Sequence, residues 1–83
     1  RLMATDWTVY VVRCSDASLY TGIARDVQAR NAEHNTGRGA KYTSSRRPVT
    51  LVYTESVADR SSALRRESEI KKLSASDKQL LIG

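Results

Sequence analysis

One cysteine, one histidine, one proline and one tryptophan are all that this 83-residue chain holds of those four types. Cys14 has no partner for an internal disulfide, and with a single His beside it no Cys-Cys-His metal cluster can form. A reducing compartment is the expected setting. Apolar runs are short as well. None approaches the ~20 residues that span a bilayer, and the N-terminus lacks the charged and apolar regions of a secretory signal. The cytoplasm is therefore the expected location, with no membrane partner. Met3 is the candidate natural start, and residues 1–6 are expected to be disordered or to lie outside the natural chain. Acidic residues are missing from one long stretch: between His34 and Thr54 there is no Asp or Glu, yet Arg38, Lys41, Arg46 and Arg47 all fall there.

What is present describes a small folded domain. A hydrophobic fraction of 40% and a charged fraction of 28% are close to the averages for globular chains and far from the disordered class. The length fits a single domain, residues 1–83, too small for a deep multi-layer site. A net charge of +5 and a pI near 9.8 make a polyanion the leading class of partner, because clustered cations attract phosphates and release condensed counterions. The plain alternative is a basic but idle solvated surface.

Along the chain, Trp7 to Arg13 is rich in β-branched and aromatic residues and reads as a strand, with Leu19 to Ile23 as its hairpin partner. Asp26 is placed to cap a helix from Val27 to about Asn35, stopped by "NTG". The glycine- and hydroxyl-rich "TGRGAKYTSSRRP" reads as a loop with at most one helical turn. "VTLVYTE" gives a third strand. Asp59 or Ser61 caps a helix running to Leu73, and Ser74 begins a short last one. The expected fold class is α/β (α+β), a small three-stranded antiparallel sheet flanked by helices in the order ββαβαα.

Some residues resist a purely structural account. With Ala63 at 0° on a helical wheel, Ile70 falls near −20°, Leu73 near −80°, Leu64 near 100° and Glu67 at about 40°, inside the apolar stripe. A carboxylate there needs a compensating charge or donors, since burying it unpaired costs several kcal/mol. A divalent metal and an ion pair with a nearby Arg both answer that need. On the first helix Val27 shares a face with Arg30 and His34, which lie one turn apart. Tyr10 and Tyr20 share a sheet face only if the hairpin loop is odd. A five-residue loop, Cys14 to Ser18, achieves this and sets Gly22 opposite Tyr10, leaving room for a ligand above the ring; a four-residue loop separates the tyrosines.

These residues, in this order, resemble the GIY-YIG nuclease superfamily, and look most like its small stand-alone bacterial members of the YhbQ type. The first motif stands here as Thr8-Val9-Tyr10 and the second as Tyr20-Thr21-Gly22. Arg30-xxx-His34 occupies the place of the helix arginine and histidine, and "ALRRE", ending at Glu67, that of the metal-binding glutamate. "GRGAKYTSSRRPVTLVY" resembles the region typical of the stand-alone subgroup. Larger relatives carry further domains that choose the DNA target, so little sequence preference is expected of these residues alone.

The resemblance implies a metal-dependent endonuclease acting on DNA, with RNA not excluded, in DNA repair or processing. It assigns Glu67 to a single Mg²⁺ or Mn²⁺ ion, Tyr10 to general base, Tyr20 to positioning, Arg30 to the phosphate clamp, and His34 to orienting or deprotonating Tyr10. Physical chemistry agrees: phosphodiester hydrolysis piles negative charge on phosphorus, and a hard cation with a guanidinium fork answers it. A phenol of pKa about 10 must be lowered about three units, some 4 kcal/mol, to serve as a base at pH 7, and a convergent cationic site is expected to do this. Arg38, Lys41, Arg46 and Arg47 are expected to track the nucleic-acid backbone, with Tyr42 either stacked on a base or packed under the loop. A non-catalytic nucleic-acid-binding module is the alternative; it has no use for a carboxylate in the apolar stripe. Oligomeric state has no signature in the sequence.

Overall fold

The computed structural model describes residues 6–83. The expectation for residues 1–6 thus falls outside the described residues except at Asp6, which is half-buried ahead of the first strand. The elements are β1 (Trp7–Arg13), β2 (Leu19–Ala24), α1 (Val27–Asn35), α2 (Lys41–Ser44), β3 (Thr50–Val57), α3 (Arg60–Lys71) and α4 (Ala75–Ile82). The three strands form one antiparallel sheet in the order β2-β1-β3. The expected order is therefore extended by one short element, because the basic loop does close a helical turn, α2. No helix among the described residues is long and apolar enough to cross a membrane.

β1 is central, and its run Val9, Tyr10, Val11 and Val12 is buried on both faces, which is why it reads as continuously apolar rather than alternating. Val9 and Val11 face α3 and pack with Ala63 and Ile70, backed by Leu81 and Ile82 of α4. Tyr10 and Val12 face the other way and pack with Cys14 and Val49, with Tyr20, Ala24 and Val27 around them. Each fully buried valine contributes about 1.5–3 kcal/mol. Helix α3 is fixed to β3 by Arg66, whose Nε donates to both Glu55 carboxylate oxygens at 2.9 and 3.1 Å, while Tyr53 Oη donates to Glu55 Oε1 at 2.5 Å. Burial raises the Glu55 pKa, but the hydrogen bonds from Tyr53 and Arg66 outweigh it, so the net shift is downward.

The caps follow the sequence. Asp26 accepts from the Ala29 N–H, Asp59 rather than Ser61 accepts from Ser62 N–H, and Ser74 accepts from Asp77 N–H. The hairpin loop runs from Cys14 to Ser18, since Arg13 pairs with Leu19. Asp16 Oδ1 takes the Ser18 N–H at 3.0 Å, and Ala17 sits at φ 71, closing the turn. The odd length places Tyr10 across from Gly22 and Val12 across from Tyr20, so the two tyrosines share one face.

Candidate active site

Helix α1 meets the sheet with a polar stripe where a core helix presents apolar residues. His34 is its buried residue, with 0% exposure, and Val27 is its bulky apolar contact. What holds the helix down is hydrogen bonding. His34 Nε2 lies 2.8 Å from Tyr10 Oη, and Nδ1 lies 2.8 Å from Thr43 Oγ1 on α2. At the helix end the Asn35 amide pairs with both backbone groups of Val49, donating at 3.0 Å and accepting at 2.7 Å. These bonds clamp α1 to the start of β3.

Gly22 explains where the Tyr10 hydroxyl ends up. A Cβ at position 22 would stand 2.6 Å from Tyr10 Oη and 2.8 Å from Cζ. The space expected for a ligand above the Tyr10 ring is thus filled by the ring itself, which lies across the edge strand β2. Tyr10 is 1% exposed. From this position the Arg30 guanidinium of α1 pulls the phenol's pKa down, while Tyr20 and Glu67 push it up. Arg30 and Glu67 belong to helices on opposite faces of the sheet, and both act on a hydroxyl carried over its edge.

The lowering expected of the Tyr10 pKa does not come from the polypeptide's own electrostatics. Burial pushes the Tyr10 pKa up, and Arg30, which lowers it, does not compensate. The polypeptide alone keeps the phenol protonated. Burial and the neighbouring Arg30 push the His34 pKa below its ordinary value, with Glu33 opposing, so the imidazole is neutral at pH 7. Arg30 is held charged, first by its hydrogen bond to Glu33 and also by Tyr10. The Arg30 Nη1 to Glu33 Oε1 distance is 2.9 Å.

A folded pKa below the unfolded value of about 6.5 means that His34 stabilises the fold above pH 6.5 and loses that contribution as pH falls from 6.5 toward the depressed value. Urea unfolding at pH 7.5 and 5.5 is expected to show lower stability at the acid end, by at most about 1.4 kcal/mol per pH unit. His34→Gln should flatten that interval, because this is the chain's one histidine. An equal slope in both proteins would show that another group is responsible.

Glu67 keeps a side-chain exposure of 19% and its Oε2 lies 3.2 Å from Lys71 Nζ, one turn along α3. The paired cation is thus a lysine; Arg66 is taken by Glu55 and Glu69. Lys71 is half exposed, so this i,i+4 pair is weak, about 0.3–0.5 kcal/mol, and readily exchanged for another cation. Among the described residues no three His, Cys, Asp or Glu side chains cluster as a metal cage. A cation with protein ligation from one hard carboxylate and several waters fits this donor set, which is the habit of Mg²⁺ rather than of zinc.

The loop residues divide. Arg38 and Lys41 are exposed and, among the described residues, take part in no ion pair. Arg46 is engaged: Nε donates to Asp16 Oδ2 at 3.1 Å, Nη1 donates to the Tyr42 carbonyl, and the guanidinium lies 3.9 Å over the Tyr42 ring. Tyr42 also stacks on Tyr20 at 5.9 Å, and Tyr20 in turn meets the His34 ring edge-on at 5.4 Å. Tyr42 is thus engaged by Arg46 and Tyr20 while remaining 38% exposed. Arg47 donates to the Ser44 carbonyl at 2.9 Å and covers Gly37. Sequence reasoning missed Glu33, Asn35, Gly39 and Thr43. Glu33 was findable from its i,i+3 spacing to Arg30; the others carry no local signal.

A family model described as GIY-YIG catalytic domain matches residues 6–80. A UPF0213 protein of Staphylococcus epidermidis is 55% identical over 74 residues, covering 89% of this chain and 90% of that protein. A UPF0213 protein of Halobacterium salinarum is 58% identical over 73 residues, covering 88% and 95%. The solution NMR structure of the UPF0213 protein BH0048 from Bacillus halodurans is similar at a TM-score of 0.60 and 42% identity, over 93% of this chain and 82% of that one.

Proposed function

The chain belongs to the GIY-YIG nuclease family, and from that premise we propose that it is a metal-dependent endonuclease that hydrolyses phosphodiester bonds in DNA. One observation carries the reading: a buried phenol bonded at 2.8 Å to a neutral imidazole, under the joint influence of an arginine and a glutamate from opposite faces of the sheet. A structural tyrosine has no need of that company.

Glu67 is the residue that would hold Mg²⁺ or Mn²⁺, and the bound ion would supply positive charge to the phosphate oxygens. Arg30 adds its fixed fork to the same charge, releasing Glu33 as it engages the phosphate. Tyr10 receives a proton from the attacking water while its own proton passes to His34 Nε2. A free phenolate, which burial disfavours, then never has to form. The imidazolium left on His34 sits beside Arg30, an uphill placement that the negative charge growing on phosphorus offsets. Tyr20 wedges the His34 ring against this line. Arg38 and Lys41 contact backbone phosphates, and Arg46 and Arg47 add long-range attraction while holding the loop. DNA repair or processing in the cytoplasm belongs to the same reading.

The test uses the full chain and its Glu67→Ala variant on plasmid, single-stranded and branched DNA and on RNA, with and without Mg²⁺ or Mn²⁺. Metal-dependent nicking is expected from the wild type, falling at least about 10²-fold in the variant. Identical nicking by both would expose a contaminant and overturn the reading. Binding by both with no cutting would replace it by a binding module. In the same series, Arg38→Ala with Lys41→Ala should make the slope of log K against log salt shallower by about two.

A further inference from the structure

Thr43 is buried with 0% exposure, yet it lies in a loop rich in exposed hydroxyls and takes no part in either apolar cluster. Its Oγ1 touches two groups: His34 Nδ1 at 2.8 Å and the Ala40 carbonyl at 2.9 Å. We propose that Thr43 is a positioning residue for the cleavage reaction, accepting from His34 Nδ1–H and so presenting Nε2 without a proton to Tyr10. The inference rests on the nuclease reading for its consequence, but not for its geometry.

The assignment follows from placing every proton. A carbonyl cannot donate, so the Thr43 hydroxyl proton goes to Ala40 in the usual manner of a helical threonine bonding back three residues. Thr43 Oγ1 is then free to accept, and Nδ1 must carry the hydrogen. With Nδ1 protonated in a neutral ring, Nε2 accepts from Tyr10 O–H. The opposite tautomer sends Nε2–H to Tyr10 and leaves the phenol's own proton with no acceptor, because among the described residues His34 Nε2 is the hydrogen-bond partner that Tyr10 Oη has. On a residue 1% exposed that omission is costly. The opposite tautomer gains only the Ala40 N–H donating to Nδ1 from 3.4 Å, at the limit of a hydrogen bond and far weaker than the two 2.8 Å contacts of the ring. Helix α2, only Lys41–Ser44, is thus the means by which the loop holds one hydroxyl against the imidazole.

The experiment compares wild type, Thr43→Val and Thr43→Ser. Long-range ¹H–¹⁵N correlation NMR at pH 7.5 reads the His34 tautomer directly. Wild type and Thr43→Ser are expected in the Nδ1–H form, and Thr43→Val, of nearly the same shape, as a mixture or as Nε2–H. Thr43→Val should also lower kcat on the order of 10²-fold at nearly constant KM, with Thr43→Ser restoring most of it. An Nε2–H signal in the wild type, or an unchanged Nδ1–H signal in Thr43→Val, would overturn the proposal. So would a Thr43→Ser variant that folds but is as slow as Thr43→Val. The wild-type signal decides even if Thr43→Val does not fold. A wild type that cuts nothing while its tautomer depends on Thr43 in the expected way would sink the nuclease reading, and with it the role in cleavage, and support only the hold of Thr43 on the His34 tautomer.

Discussion

Tyr10→Phe should lose cleavage by about 10²- to 10⁴-fold while leaving nucleic-acid binding within about a factor of two of the wild type. The substitution deletes one oxygen. The ring keeps its packing against Val12, Val49 and the backbone of Gly22, so the apolar contribution of the site survives. What is lost is the donor to His34 Nε2, which leaves a buried acceptor unpaired at a cost of about 1–3 kcal/mol of stability. Binding should hold, because Arg30, Arg38 and Lys41 are untouched. The measurement is single-turnover cleavage beside a binding titration on the same substrate. Tyr20→Phe is the matched control: its ring lies between His34 and Tyr42 and packs as before without its hydroxyl, so its rate should fall less. If Tyr10→Phe cuts as fast as the wild type while Glu67→Ala does not, the proton path runs elsewhere and Tyr10 is a packing residue.

Gly39→Ala is expected to be the most destabilising single methyl in the chain. An added Cβ would meet Nδ1 of His34 and would stand 2.8 Å from both its Cγ and its Cα. The Cα is backbone on α1 and cannot turn aside, so the loop must move away. Moving it parts Thr43 from His34 and loosens the bond to Tyr10. Overpacking costs about 1–3 kcal/mol, and each broken buried hydrogen bond about one more. At about 4–8 °C per kcal/mol for a domain of this size, the melting temperature should fall by roughly 10–30 °C. Cleavage should fall with it. A melting temperature within about 2 °C of the wild type would mean that the loop has slack at this point and that Gly39 does not set the His34 position.

Much of the fold was legible because its signals are local. β-branched and aromatic runs marked the strands, and Asp26, Asp59 and Ser74 marked the helix starts through a hydrogen bond only three residues long. The apolar wheel of α3 pointed to Ala63 and Ile70 and exposed Glu67 as the misfit. Other features needed coordinates. Nothing in the sequence chose a five-residue hairpin loop over a four-residue one, and that choice puts Tyr10 over Gly22. Asp16 and Ala17 settle it with a turn whose carboxylate also reaches Arg46, 30 residues away. Arg46 read as a phosphate contact, and its ties to Asp16 and Tyr42 were not visible, since a charged side chain has the same local signature whether its partner is a ligand or the chain itself.

By itself the sequence determined the class of fold, the basic character, the family resemblance and the residue types available for chemistry, because each depends on neighbours along the chain or on composition. Only the tertiary structure decided that Thr43 and Gly39 belong with His34, that Tyr10 stays protonated, and which cations remain free. Those outcomes depend on burial and on distances between residues remote in sequence: a hydroxyl acquires its role, and a phenol its pKa, from what the fold sets against it.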